Sequence, residues 1–367
     1  MTWDHPRGYD PLVAASAEWR ARGGPEIAWD RRSLQDFESY PVEELARRYD
    51  LIVIDHPHVG QLAQHGCIAP IDTLVVPAEL ADIAARSIGG SYESYAWQGR
   101  QWALPIDAAA QVQAWVPGRL AAPLTRWSEL APLVAQRRVL LPLRPPHSLM
   151  ALFTLSGMFG VALDIAGPDL FPAAAAAPLA ALAELADALD PACFDMDPIA
   201  VLEAMAAPDA AIAVAPLIYG YVSYAVQGFR PTRIGFADLP AAGPAGPRGS
   251  VLGGTGIAVS ALAADPEAAA CFAVWVAGAE VQQGLYAAKG GQPAHACAWE
   301  AEAVNTPIAD FCRATRATLD RAWLRPRHHG YMAFQAIASE RLNHGLCARE
   351  APAAILAALN ALYRDSL

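Results

Sequence analysis

Nine side chains able to bind or carry charge sit in short polar stretches between apolar runs. They are His5 and Arg7 in TWDHPRGYD, Asp55, His56 and His58 in LIVIDHPH, and Arg325, Arg327, His328 and His329 in RPRHHG. Imidazole and guanidinium groups gathered on one cleft would attract an anion, even in an acidic protein. Arg7 is the best placed of them. Pro6 precedes it and Gly8 follows; glycine lets a ligand approach the backbone, and guanidinium grips a carboxylate through two parallel bonds. The bland reading of each residue is an ordinary solvated loop position. Tyr219, Tyr221 and Tyr224 in IYGYVSYAV form a second set. Flat rings with a polar rim suit sugars and other flat polar solutes, or serve equally as core aromatics.

A metal reading also fits part of this set. His56-Pro57-His58 directly after an apolar strand resembles the His-x-His metal pair of amidohydrolases. Such a site needs further histidines, an aspartate and a bridging lysine at later strand ends. The chain's single lysine, Lys289, falls in KGGQPA, and no eightfold strand–helix rhythm is present. A metal-binding transport protein using His5, His56 and the tyrosines is the other metal reading. Gly253-Gly254-Thr255-Gly256 matches neither a dinucleotide fingerprint nor a phosphate loop, and reads as a turn between lobes. No GxSxG supplies a serine nucleophile.

The elements that must position these residues follow from periodicity. Residues 11–22 (PLVAASAEWRAR) have helical spacing and stop at Gly23-Gly24, 27–29 read as a short strand, and 41–50 (PVEELARRYD) as a second amphipathic helix. LIVID at 51–55 is a buried strand, and HPHVGQLAQHG continues as loop and helix to Gly66. This alternation predicts an α/β sheet with parallel strands, which collect ligands at their carboxyl ends. Asp55, His56 and His58 stand at such an end, as does the His5–Arg7 loop if Met1 to Trp3 begin a strand.

Further on, Gln98-Gly99-Arg100 marks a hairpin, and Leu104-Pro105-Ile106-Asp107 an extended crossing. Ser128 opens a helix, VLLPL (139–143) is a strand, the alanine-rich stretch near Ala173 is a helix, and 211–217 form a strand that delivers the tyrosines. PAAGPAGPRGS (240–250) is flexible connection. The last third is helical: Asp265 caps a helix with Pro266 at its first position, and helices follow over 307–322, 331–342 and 352–363.

The bulk composition narrows the class. A length of 367 residues suits two lobes, and 54% hydrophobic against 17% charged residues describes a packed globular protein. A net charge of -11, from 37 acids and 26 bases, disfavours nucleic acid and anionic membranes. The six cysteines form no CxxC and read as buried free thiols, as at Cys271 in CFAVWVAG. No apolar stretch reaches the length of a spanning helix, so no membrane insertion is expected. MTWDHPRG has neither the charged nor the apolar region of an export signal, and read as it stands the chain is cytoplasmic.

Four segments in order carry a family resemblance. They are YDLIVIDHPHVGQLAQHGCIAPID (49–72), YAWQGRQWALPID (95–107), LTRWSEL (124–130) and GGTGIAVSALAADPEAAACFAVWVAGAEVQQGLYAAKGGQPA (253–294). Together they resemble the family 1 extracellular solute-binding proteins of ABC importers, and RPRHHGYMAFQAIASERLNHGL resembles that family's last helical region. The resemblance implies a two-lobed α/β clamp of the type II periplasmic-binding-protein kind, with the ligand cleft between the lobes. One lobe is expected from residues 1–107 plus 256–305, the other from 108–255 plus 306–367. It implies a monomeric, non-enzymatic protein without cofactor that captures a small solute, with a transporter permease as partner. It also argues for the periplasm.

The candidate ligand-binding set is then Trp3, Asp4, His5, Arg7, Asp55, His56, Asp107, Tyr219, Tyr221, Gly254, Thr255, Arg325 and His328. Sugars would use the aspartates and the rings. A carboxylate-bearing metabolite is placed slightly ahead, because several bases buried around one cavity without partners would be costly; the alternative is that the aspartates neutralise these bases internally.

Overall fold

The structure, a computed structural model, describes residues 1–33 and 42–367. Its frame is a six-stranded sheet in the order β3 (Leu51–Ile54), β10 (Leu252–Ser260), β7 (Ala103–Trp115), β8 (Val214–Tyr219), with β4 (Ile68–Ala69) also beside β10 and β9 (Gly235–Ala237) also beside β7. Strand β7 spans 13 residues and is buried along nearly its whole length. That burial explains the run ALPIDAAAQVQAW, in which a continuous small and apolar series replaces alternation. Its first part pairs with β10, from Ala103↔Ala258 to Ala110↔Leu252; its last part pairs with β8 and β9, from Gln111↔Tyr219 to Trp115↔Gly235. Register shifts at Thr255/Gly256 and between Val112 and Ala114 bend the sheet at the changeover.

The two parts of the sheet carry different helices. The helix Pro266–Ala277 packs on β10 and β7, while Phe311–Asp320 packs on β9 and β7, and Pro198–Ala206 on β8. His147–Met158 lies against Ala176–Ala188 and Tyr331–Cys347, and Pro352–Asp365 covers the last of these.

The predicted parallel sheet needs correction. All pairings within the six-stranded sheet are antiparallel, because β3 takes as its neighbour β10, a strand contributed some 200 residues later. Between strands, parallel pairing occurs in a separate two-stranded sheet, where β1 (Thr2–Trp3) runs beside β2 (Arg31–Arg32). The strand expected at 27–29 forms instead at β2, and VLLPL makes only an isolated bridge, Val139↔Val214. The helix expected near Ala173 is present as Ala176–Ala188, those over 331–342 and 352–363 as Tyr331–Cys347 and Pro352–Asp365, and the hairpin has Ala96↔Gln101 and Trp97↔Arg100 paired. The helix expected over 307–322 is broken by left-handed Ala309 and Asp310 and runs over Phe311–Asp320. In the predicted helix at 41–50, Val42–Ala46 is helical, and Pro41 lies outside the described residues. Cys271 and Cys347 are exposed, so the expected burial holds for Cys67, Cys193 and Cys312, with Cys297 between. No helix among the described residues is long and apolar enough to cross a membrane.

Candidate functional site

A cleft opens where β7 changes partners. Counting its open mouth, it spans about 730 Å³ of space between atoms. Gly253, Gly254 and Thr255 of β10 line it beside Asp107 and Ala109 of β7.

Arg7 reaches the cleft from the first turn of the helix Pro6–Ala21 and not from a loop. Pro6 presets the helical φ, and His5 caps the helix, its Nδ1 accepting from the Arg7 backbone N–H at 3.1 Å. Each nitrogen of the Arg7 guanidinium is used. Nε donates to Asp107 Oδ2 at 2.7 Å, Nη2 donates to Asp107 Oδ1, and Nη1 donates to Gly220 O at 2.9 Å. Burial disfavours the charge on Arg7, but Asp107 more than offsets this and holds its pKa above the ordinary value. The guanidinium lies over Tyr221 at 4.8 Å and over Trp3 at 5.6 Å.

A second pair lines the same cleft. Arg325 Nη2 donates to Asp55 Oδ2 at 2.7 Å and to Oδ1 at 2.9 Å, and its Nη1 donates to Gln335 Oε1 at 3.0 Å. Burial alone would raise the Asp55 pKa; the Arg325 charge and the contact with His56 outweigh it and hold the carboxyl well below the usual range. Both cleft arginines are therefore neutralised inside the protein.

Of the expected residues, Trp3, Arg7, Asp55, Asp107, Tyr219, Tyr221, Gly254, Thr255 and Arg325 line the cleft. Four do not. Asp4 is on the surface, paired with Arg31 at 3.1 Å. His5 is buried behind Trp3, stacked on it with ring centroids 5.2 Å apart, and burial pushes its pKa down to about 3. His56 is fully buried, edge-on to Tyr95, with a pKa lowered to about 4 by burial and by Arg325. His328 bonds Ser366 Oγ at 2.9 Å and packs on Tyr331 and Tyr363. Two further members of the polar stretches also have structural duties: Arg327 donates to the carbonyls of Glu93, Ser94 and Ala96, and Tyr224 donates to Glu203 at 2.6 Å.

His58 does line the cleft, but no group of three or more His, Cys, Asp or Glu suited to a metal occurs among the described residues. The cleft residues outside the candidate set and the polar stretches are Ala109, Pro146, His147, Met150, Pro198, Gly253, Met332 and Gln335. Most are apolar residues of ordinary helix starts. Only the histidine in PPHS could have signalled a site.

Residues 44–307 match the bacterial extracellular solute-binding protein family. Three solved structures superpose on nearly the whole chain. Maltose-bound MalE3 of T. maritima has a TM-score of 0.81 at 14% identity, covering 97% of this chain and 96% of its own. The GacH receptor of Streptomyces glaucescens, solved unliganded and with acarbose, has 0.80 at 16%, covering 100% and 97%. An ABC transporter solute-binding protein of Agrobacterium radiobacter K84 in complex with ribitol has 0.80 at 17%, covering 98% and 97%. At these identities the likeness is one of fold, a two-lobed clamp. Comparison with curated protein sequences gives no match. With a family match over most of its length and the clamp fold throughout, the chain belongs to the bacterial extracellular solute-binding proteins, a family of binding proteins and not of enzymes.

Proposed function

We propose that the cleft captures a neutral, hydroxyl-rich solute, a sugar or polyol, between the two lobes and presents it to an ABC importer. The observation that carries this reading is the state of the two arginines. Arg7 is held by Asp107 and Arg325 by Asp55, so the bases that favoured a carboxylate already have their counter-charges. An anion entering here would meet two aspartates as well as two arginines, and would have to break a buried pair to profit from either arginine. Hydroxyls both donate and accept, and can use the free lone pairs of the carboxylates without disturbing the pairs. Tyr219, half-buried in the cleft wall, adds an aromatic surface suited to the C–H groups of a sugar, with Trp3 and Tyr221 packed against Arg7 beside it. The names of the similar structures, which mention maltose, acarbose and ribitol, support the same class.

The clamp closes by rotation about the segments near Asp107 and Gly254, which lie side by side in β7 and β10. A thermal-shift screen of neutral sugars and polyols, mono- and dicarboxylates, and divalent metals tests the reading. Stabilisation by neutral members supports it; stabilisation by carboxylates or metals alone overturns it.

A further inference from the structure

We propose that His147 is a specificity-determining residue of the cleft, reading one hydroxyl of the solute through its Nδ1. The inference rests on the sugar or polyol reading above and adds a residue and a selection rule to it. His147 lines the cleft and is only 4% exposed. Its Nδ1 is buried and has no hydrogen-bond partner among the described residues. A buried polar atom left so is destabilising, and native proteins keep such an atom mainly where something else uses it.

Its setting holds the ring in place. His147 is the first residue of the 12-residue helix His147–Met158, whose N-terminus at Pro146 has no side-chain cap. Its ring meets Tyr219 edge-on at 6.3 Å, and Pro146 and Met150 line the cleft beside it. Polar groups of the cleft thus fall into two kinds. The Arg–Asp pairs are matched in charge, with Arg325 Nε the one guanidinium nitrogen of the two pairs left without a hydrogen-bond partner among the described residues. The imidazole has neither a counter-charge bonded to it nor a partner for Nδ1. Burial pushes the His147 pKa down to about 4, with Arg144 and Arg325 adding to the fall and Asp197 opposing it, so the ring is neutral near pH 7. A neutral imidazole nitrogen donates or accepts according to tautomer, and a hydroxyl answers either role, whereas a carboxylate answers only the donor. His147 therefore selects for a hydroxyl at one position of the solute and against its deoxy analogue, the kind of discrimination that a buried polar partner enforces most strongly.

The test uses the full chain and titration calorimetry with glucose, mannose, galactose, sorbitol, ribitol and maltose, followed by the monodeoxy analogues of whichever binds. His147→Leu is expected to weaken binding by roughly tenfold or more. His147→Asn, which keeps a polar atom near the Nδ1 position, is expected to retain most of the affinity. One deoxy analogue should bind wild type as poorly as the parent solute binds His147→Leu, and should lose nothing further in that variant. The ligand-free melting temperature of His147→Leu should equal or exceed that of wild type, since an unsatisfied polar atom has been removed. A structural histidine would show the reverse, a lower melting temperature with unchanged affinity, and that result overturns the inference alone. Failure of every panel member to bind wild type overturns the sugar or polyol reading and this inference with it.

Discussion

Arg7 and Asp107 stand 100 residues apart in sequence and form a two-pronged buried ion pair in the cleft wall, with Nε to Oδ2 at 2.7 Å. The same guanidinium reaches Gly220 O just beyond β8, so one side chain ties the N-terminal helix, the crossing strand and the segment carrying Tyr221. Removing one partner leaves the other charged and unmatched in a dry site. Arg7→Ala is expected to cost about 3–5 kcal/mol by urea denaturation. The double variant Arg7→Met/Asp107→Leu, which removes both charges, should regain most of that loss. Equal destabilisation of the single and double variants would show that the pair itself matters little.

Gly253 makes room for a cleft ring. A Cβ placed on it would stand 2.6 Å from Cε1 of Tyr219, close enough that the ring must move. Gly253→Ala should therefore weaken solute binding severalfold while leaving a cooperative melting transition. Gly254 is different: its φ is +96° and its Cβ would fall 2.2 Å from the backbone oxygen of Asp107. Gly254→Ala is expected to destabilise the fold itself by at least about 1–3 kcal/mol. Calorimetric melts of the two ligand-free variants separate these outcomes.

Stability should fall as pH drops from about 6.5 toward 4. Burial lowers the pKa of His5 to about 3 and of His56 and His147 to about 4 in the folded chain. As pH falls below 6.5 the unfolded chain takes up protons that the folded chain refuses, so the unfolded state gains. The urea midpoint should decline through this window, and His147→Leu should decline less steeply. A flat profile between pH 6.5 and 4.5 contradicts the assignment of these rings as buried and neutral.

Gln292 staples the crossing. Its Nε2 donates to Ala108 O at 2.7 Å, its Oε1 accepts from Val222 N–H at 3.1 Å, and its backbone oxygen accepts from Ala108 N–H at 3.1 Å. Gln292→Ala leaves two buried backbone groups without the side-chain partner and should loosen the clamp about β7. Small-angle scattering of wild type should show compaction on adding a binding solute. The variant should begin more expanded and need more solute to compact. Identical profiles for the two proteins, with and without solute, contradict a hinge at this strand.

The helices were legible where caps and periodicity agreed. Asp265 followed by Pro266 marks the start of Pro266–Ala277, and the Asp265 side chain does accept from Ala268 N–H at 3.0 Å. The sheet was less legible. LIVID reads the same whether its neighbour is parallel or antiparallel, and nothing local tells that β10 will lie beside it. The same limit shaped the site. Arg7, Asp55, Asp107 and Arg325 were identifiable as candidates by type and position, yet which acid would neutralise which base depends on contacts 100 and 270 residues apart. Internal neutralisation by the aspartates and an anion held by open bases were both compatible with the residue types, and the preference for a carboxylate rested on the second. His147 was missed because a histidine at a helix start has no distinguishing pattern until the fold turns it toward a cleft.

The most direct test of the account is titration calorimetry of wild type with matched neutral and anionic solutes: glucose against glucuronate, galactose against galacturonate, ribitol against ribonate. Two internally neutralised arginines predict that at least one neutral member binds and that its carboxylate counterpart binds at least tenfold more weakly. Tighter binding of the carboxylate in every pair, with the neutral members silent, would contradict the account, since it would mean that Arg7 or Arg325 leaves its aspartate to take the ligand.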